Sequence, residues 1–506
     1  MDRQASRAGG NVRGKVTTGL EQRAAALALA FTAERPDAKA RKAAGRALRD
    51  TVPHEAHAAF ERRDSVDPIA IMRAQEKTRL AHLVPLRHAR MLASPFAFLR
   101  GSAAVMAADL DRTPVTGVQV QACGDMHVAN FGVYASAERR LVFAINDFDE
   151  TTPGPWEWDV KRLATSAFVA SKHLGGSRSE RTAAALAVVE RYRSQMRRYA
   201  RMGHLEVWYD TIDSDALLES LSPAARERAK RIFSKAIARN HLQVLVKMTD
   251  LVDDRHRIVE QAPFVVRETH TSKGRPVTEA LGYLLADYLD SLAPDRRALL
   301  SRYQVIDVAQ KVVGVGSVGT RCWVALLQGR DADDPLFLQV KEAQPSVLSL
   351  YSSKGSTFKG NEGHRVVMGQ RKIQGSPDIF IGWGALDGVH FYVRQLRDMK
   401  GGLDIEPGEI SPGAFVEYCR LCGWALALAH AKSGEAAAIS GYLGKSDGFD
   451  QAVGRFAEAA ASENEPDHAL LGEAAQRGEV EVAGGRRADR CSDEAHKVPR
   501  SALAVK

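Results

Sequence analysis

The chain is poor in cysteine, with five in 506 residues, and their scatter excludes the disulfide framework that staples small secreted domains. Cys419 and Cys422 form a CxxC pair. A zinc site of that type needs a second pair, and the chain has none. The two thiols share one apolar helix face with Phe415, Leu426 and Ala429 and are expected in the core. Long apolar runs are missing as well. No stretch approaches the roughly 20 residues that span a bilayer, and no apolar segment has signal-peptide flanks. The expectation is a cytoplasmic protein with no membrane partner. Internal repeats are also lacking. A strong excess of one charge is absent: 70 Lys and Arg face 62 Asp and Glu, for a net charge of +8. Much of that excess sits at the ends, in RQASRAGGNVRGK and AGGRRADR. Such a balance suits phosphate-bearing ligands, and nucleic acid is not expected as the main partner.

What is present is ordinary globular material, 45% apolar and 26% charged, enough for a large core or several smaller ones. Residues 1–45 are rich in Arg, Ala and Gly and are expected to be largely disordered. Helical periodicity begins near Pro53, with Asp67–Pro68 as a start signal. Two strands, VTGVQVQACG and RLVFAIND, flank a polar loop, and WEWDVKRLATSAFVASKHLG reads as an amphipathic helix with one apolar stripe. More helices are expected over 179–202, 214–240 and 277–293. From about Val305 the texture turns to strands separated by Gly or Asp turns. A helix near 360–373, a hairpin, and helices at 411–432 and 446–462 follow. This predicts a helical unit over 46–302 completed by 399–475, a β-rich unit over 303–398, and a disordered tail over 476–506.

The densest chemistry lies in GDMHVANFGVYASAERRLVFAINDFDE, residues 124–150. Asp125 can act as base or orient a hydroxyl, and His127 can brace the loop. Asn130, Asp147 and Asp149 offer neutral and anionic oxygens to Mg²⁺. A polar turn whose Asp and Asn only cap strands is the plainer alternative. Asp159 opens the next helix, where a carboxylate can cap its N–H groups or reach back to fix the Asp125 loop. Gly314, Gly316 and Gly319, with Ser317 among them, spell GxGxxG. The β-branched and aromatic residues that follow make this a hairpin tip, so the helix a dinucleotide fold requires is not expected. A Gly-rich hairpin of this kind covers ATP phosphates in kinases, and an ordinary glycine turn is the other reading. In PLFLQVKEA, Lys341 alternates into an apolar strand, an expensive place for an ammonium unless it meets an anion. A snorkelling surface lysine is the alternative. Glu362 is the carboxylate nearest in the chain to pair with Lys341, because Glu342 points to the opposite strand face.

GDMHVANFG, INDFDE and WEWDVKRLA resemble the Gly-Asp-x-His-x-x-x-Asn and Asp-Phe-Asp motifs of aminoglycoside and choline kinase-type phosphotransferases. From about residue 45 to 475 the chain is similar to an uncharacterised bacterial family catalogued as domain of unknown function 2252. The resemblance implies an α+β, protein-kinase-like two-lobed fold with extra N-terminal helices, using Mg²⁺ and ATP to phosphorylate a hydroxyl acceptor. It implies catalysis by Asp125, metal binding by Asn130 and Asp147, and loop support by Asp159. In ordinary kinases the Gly-rich hairpin and Lys strand come first. Here they follow the Asp loop, so the fold is expected to be circularly permuted. A catalytically silent, pseudokinase-like nucleotide-binding regulator is the alternative.

Overall fold

The computed structural model describes residues 21–484 apart from 30, 63–65, 239–240, 254, 269, 272, 352–359 and 397–398. Four short strands carry the acidic loops: β1 (Gln119–Ala122), β2 (Phe131–Ala135), β3 (Leu141–Ile145) and β4 (Thr152–Pro155). They nest as two antiparallel pairs, β1 with β4 outside and β2 with β3 inside. Asn146 N–H reaches Asn130 O at 2.8 Å, closing the inner pair at its loop end. FGVYA, expected as part of a polar turn, is therefore a strand. Its Val133 and Phe143 face each other across the hairpin, and cross-strand apolar pairing of this kind outweighs the turn-forming glycine beside it.

Beneath these strands lies the helix Trp156–His173, whose residues 156–171 are all buried. The expected amphipathic helix with one apolar stripe is thus corrected. The polar side chains Glu157, Asp159, Lys161, Arg162, Thr165 and Ser166 are also inside, because that face looks at the acidic loops and at the N-terminal helices rather than at water. The helices Arg178–Tyr199, Pro412–Ser433, Ala436–Leu443 and Gly448–Gln476 share one continuous core with it. Ser177 starts the first of these with a capping box to Glu180, and Ser411 caps the second.

Packed structure starts earlier than expected. Ala38–Ala47 is a helix, capped by Asp37, lying against Ala436–Leu443 where a Cβ on Gly45 would collide with Ala438 O and one on Gly441 with Lys42 O. Two glycines facing two backbones allow this close crossing. The expected disorder before residue 46 is corrected for that segment. At the other end the last long helix runs to Gln476, and the rest of the expected tail beyond residue 484 lies outside the described residues.

After β5 (Ile212–Asp213), which pairs with β3, and a separate hairpin of β6 (Thr249–Val252) and β7 (Arg255–Ile258), the chain builds a six-stranded sheet. Its strands are β8 (Val265–Val266), β9 (Gln304–Lys311), β10 (Cys322–Gln328), β11 (Pro335–Ala343), β12 (Gly382–Leu386) and β13 (Val389–Gln395). They are ordered β12-β13-β11-β10-β9-β8. Alternate residues of β10 and β11 feed two different cores. Trp323, Ala325, Leu338 and Val340 pack with Leu284 and Tyr288 of the Val277–Ser291 helix, while Val324, Leu326 and Phe337 pack with Val244 and Leu245. With both faces covered, every residue of β11 is buried. Val244, Leu245 and the helices Val277–Ser291 and Pro294–Leu300, expected with the helical unit, therefore pack on the sheet. The fold is mixed α+β. No helix among the described residues is long and apolar enough to cross a membrane.

Candidate active site

The nested pairs project two loops side by side, 123–130 between β1 and β2 and 146–151 between β3 and β4. The first is fixed from below by Asp159. Its two carboxylate oxygens accept from Cys123 N at 2.6 Å and Gly124 N at 3.0 Å, and His430 Nε2 lies 3.2 Å from one of them. Tyr192 holds the other nitrogen of His430 at 2.9 Å. Gly124 has φ +80°, and a Cβ there would press into the backbone and side chain of Glu150 on the second loop. Only glycine lets the loops touch at that point.

Asp125 sits at the tip with its side chain 22% exposed. Arg162 donates two hydrogen bonds to its Oδ1, through Nε at 3.2 Å and through Nη2. His127 Nε2 is 3.7 Å from Asp125 Oδ2. The Asn130 amide donates to Asp125 O at 2.7 Å.

On the second loop Asp149 is the meeting point. Its Oδ2 accepts from Lys341 Nζ at 2.7 Å and Ser317 Oγ at 3.2 Å, and its Oδ1 from Tyr392 OH at 2.5 Å. Lys341 and Tyr392 are directly opposite in the β11–β13 register, so one sheet face delivers both. Arg394, two residues on, donates to Asn146 O at 3.3 Å. The glycine loop, 312–321, joins β9 to β10 with no helix after Gly319. It folds over the tip: a Cβ on Gly316 would lie 4.0 Å from Asp125 Oδ2. Gly314 and Gly319 both have positive φ and flank the loop. Arg90 donates to Gly314 O, Arg79 to Val318 O at 2.5 Å, and Leu80 N to Gly319 O at 2.7 Å.

Asp125, His127, Asn130, Asp147, Asp149, Gly316, Ser317 and Lys341 thus gather around two adjacent loops, with Asp159 beneath them. Glu362 does not join as the partner of Lys341. It binds Arg365 Nε at 2.5 Å on its own helix, Glu362–Ile373. Arg365 in turn donates to the carbonyls of Asp149 at 2.9 Å and Gln344 at 2.7 Å, and to Thr151 O. The correction has a simple cause. Glu362 is at the first turn, where the nearest cation is three residues along the helix, while Asp149 is already under Lys341. Glu342 pairs with Arg321 at 3.0 Å, away from Lys341.

Residues 79–474 match a family described as an uncharacterized protein conserved in bacteria, DUF2252. The chain belongs to that family. No curated protein and no solved structure matches it. The DUF2252 match spans both acidic loops, the glycine loop, Lys341 and the Arg79 and Arg90 anchors, and leaves the Ala38–Ala47 helix outside.

Burial pushes the Asp125 carboxyl up, against the pull of Arg162. Burial and then the neighbouring Asp149 charge push Asp147 up. Asp149 goes the other way: burial is outweighed by Lys341 and by the hydrogen bonds from Lys341 and Tyr392, which hold it at about 2. Lys341 is correspondingly held well above its ordinary range, Asp149 overcoming burial. Burial, with Arg100 and Arg162, keeps His127 far below its usual value, so the imidazole is neutral near pH 7. Glu150 is raised to about 7 by burial and accepts from Val347 N at 2.7 Å.

Several members of this cluster were not singled out in the sequence. Arg162 lies inside WEWDVKRLA, three residues after Asp159, where one helical turn puts both on the face below the loop. Tyr392 and Arg394 carry the same signal as Lys341, polar groups alternating into an apolar strand. Among the described residues no group of three or more His, Cys, Asp or Glu side chains is arranged to hold a metal ion.

Proposed function

We propose that this DUF2252 chain is an ATP- and Mg²⁺-dependent phosphotransferase with a circularly permuted, kinase-like arrangement. The observation that carries the reading is the Lys341–Asp149 ion pair at 2.7 Å, made between residues 192 positions apart, with Ser317 of the glycine loop on the same carboxylate. In phosphoryl transfer a protein supplies position and charge, so cation, glycine loop and acidic loops belong in one place. Their reversed order along the chain is what permutation of one packed unit would give. The 303–398 segment would carry the nucleotide.

Asp125 would orient the acceptor hydroxyl, with neutral His127 supporting its loop. Lys341, Ser317 and the backbone of Gly314–Gly319 would hold the nucleotide phosphates. Asn130, Asp147 and Asp149 fit Mg²⁺ in the way that ion is usually bound, through one or two carboxylates plus phosphate oxygens rather than a complete protein cage. The half-buried pair Asp147 and Asp149 is the donor set such a cation suits. Bound there, Mg²⁺ would offset charge on the phosphates.

One feature favours a second reading, nucleotide binding without transfer. Asp125 Oδ1 is already engaged by Arg162. A single experiment separates the two: purified protein is incubated with ATP, with and without Mg²⁺, and both thermal unfolding and phosphate release are followed. Transfer predicts Mg²⁺-dependent stabilisation and turnover, both lost in Asp147→Ala. A silent nucleotide binder predicts stabilisation alone. No stabilisation by any nucleotide sinks both.

A further inference from the structure

A second concave site lies between the β2–β3 hairpin, the helix Pro223–Ala238, the start of the Pro412–Ser433 helix and the Gly401–Leu403 segment. Its walls are apolar, with Val133, Phe143, Leu221, Ile232 and Leu421 among them. Its volume is about 760 Å³ with the solvent of the open mouth included. Two charged side chains reach it, Glu417 and Arg228.

They are not a pair. Glu417 accepts from Ser222 N at 3.1 Å and Ser222 Oγ at 2.6 Å, so both carboxylate oxygens serve the start of the Pro223–Ala238 helix. Arg228 Nη1 is buried and has no hydrogen-bond partner among the described residues. A buried donor on a cation without an acceptor is costly. Water is a poor remedy here, because an ordered water needs two to four polar partners and these walls supply few. The complement of such a surface is a hydrocarbon body with one anionic end. A carboxylate suits a guanidinium best, since the planar fork can meet both oxygens.

We propose that this cavity binds a small molecule with a hydrocarbon body and a single carboxylate, the carboxylate against Arg228. The site also touches the first acidic loop. Tyr418, in the cavity wall, donates its hydroxyl to Val128 O at 2.9 Å, within the segment that carries His127 and Asn130. An occupant would therefore bear on the backbone that positions those residues. The proposal stands without phosphoryl transfer, because it concerns binding alone.

The test compares ligands of one shape and different charge on the intact, unaltered protein. Decanoate, decanol and decyltrimethylammonium are titrated by calorimetry below micelle-forming concentrations. Decanoate is expected to bind one site at least about tenfold more tightly than decanol, the range of a charge-assisted hydrogen bond, and the cation not at all. In Arg228→Met, decanoate affinity is expected to fall to that of decanol while decanol is unchanged. Equal binding of decanoate and decanol to the unaltered protein, or binding of neither, overturns the proposal. So does unchanged decanoate affinity in a folded Arg228→Met variant. The charge comparison needs no variant, so it decides even if that substitution prevents folding.

Discussion

Lys341 and Lys161 are both buried, 3% and 0% exposed, yet their surroundings are opposite. Lys341 faces Asp149 at 2.7 Å, has the Tyr392 ring 5.5 Å from its ammonium, and is held well above its ordinary pKa. Lys161 lies over the Phe456 ring at 4.7 Å, and its Nζ has no hydrogen-bond partner among the described residues. Burial pushes it down to about 7, against Glu157 one helical turn earlier. Both ammonium groups are removed from water, but only one has a carboxylate in exchange. At Lys341 the carboxylate offsets the loss of water, whereas Lys161 keeps the desolvation cost.

The largest expected effect breaks the pair at Lys341. Lys341→Met is expected to lower ATP turnover by about 10²-fold or more, the scale of removing one preorganised electrostatic donor. It would also leave Asp149 without its cation, at a cost of about 1–3 kcal/mol in denaturant unfolding. Turnover within tenfold of the unaltered protein would make Lys341 a structural residue like its counterpart, and the contrast would fail.

Lys161 should respond with the opposite sign. Lys161→Met keeps the length and packing of the side chain and removes a buried, unsatisfied ammonium, so it is expected to stabilise the protein by about 1–3 kcal/mol. Guanidinium unfolding at pH 7 reads this directly. Destabilisation would show that the contact with Phe456 outweighs desolvation.

The same lysine sets a pH dependence. Its ordinary value is 10.5 and its folded value about 7, so between those two pH values the unfolded chain holds a proton that the folded chain has released. Stability must then rise with pH, by up to about 1.4 kcal/mol per unit. The penalty is complete below pH 7 and gone above 10.5. Glu157 is raised by burial from 4.5 to about 7, so there the folded chain keeps the proton longer and stability falls with pH across that lower window. The pair thus predicts a local minimum near pH 7. The rise in stability above pH 7 should be present in the unaltered protein and absent from Lys161→Met, so it should appear in the difference between the two. A flat difference would show that Lys161 is charged in the folded state.

How far these two lysines could be read from sequence follows from the same contrast. Lys341 stood out because PLFLQVKEA alternates, and a charged residue on an apolar strand face needs an explanation. Lys161 did not, because WEWDVKRLA looks like an amphipathic helix whose polar side is wet. That the polar side is buried depends on helices drawn from both ends of the chain, which no local pattern reveals. Asp159 was legible as a brace, being one turn into the helix that follows the loop. The nesting of β1 with β4 around β2 with β3 was not, since the strands are four or five residues long and a Gly-containing strand reads as a turn. The anchors of the glycine loop were least legible. Arg79 and Arg90 bind backbone carbonyls 239 and 224 residues away, and a carbonyl carries no sequence signature.

The smallest expected effect sharpens the contrast at the carboxylate that sequence placed beside Lys341. A kinase-type lysine pairs with a glutamate on a neighbouring helix, and Glu362 was its counterpart by position. In this fold Glu362 neutralises Arg365 instead, and Arg365 ties the carbonyls of Asp149, Thr151 and Gln344 together. Glu362→Gln keeps an acceptor oxygen for Arg365 and removes only the charge. Arg365 retains its three carbonyls, so the cost to stability is expected to be about 1 kcal/mol or less. Turnover should change by less than about twofold, because the Lys341–Asp149 pair is untouched. A loss comparable to that of Lys341→Met would mean that Lys341 exchanges Asp149 for Glu362 during the reaction. In that case Asp149 is the resting partner of the lysine rather than its working one.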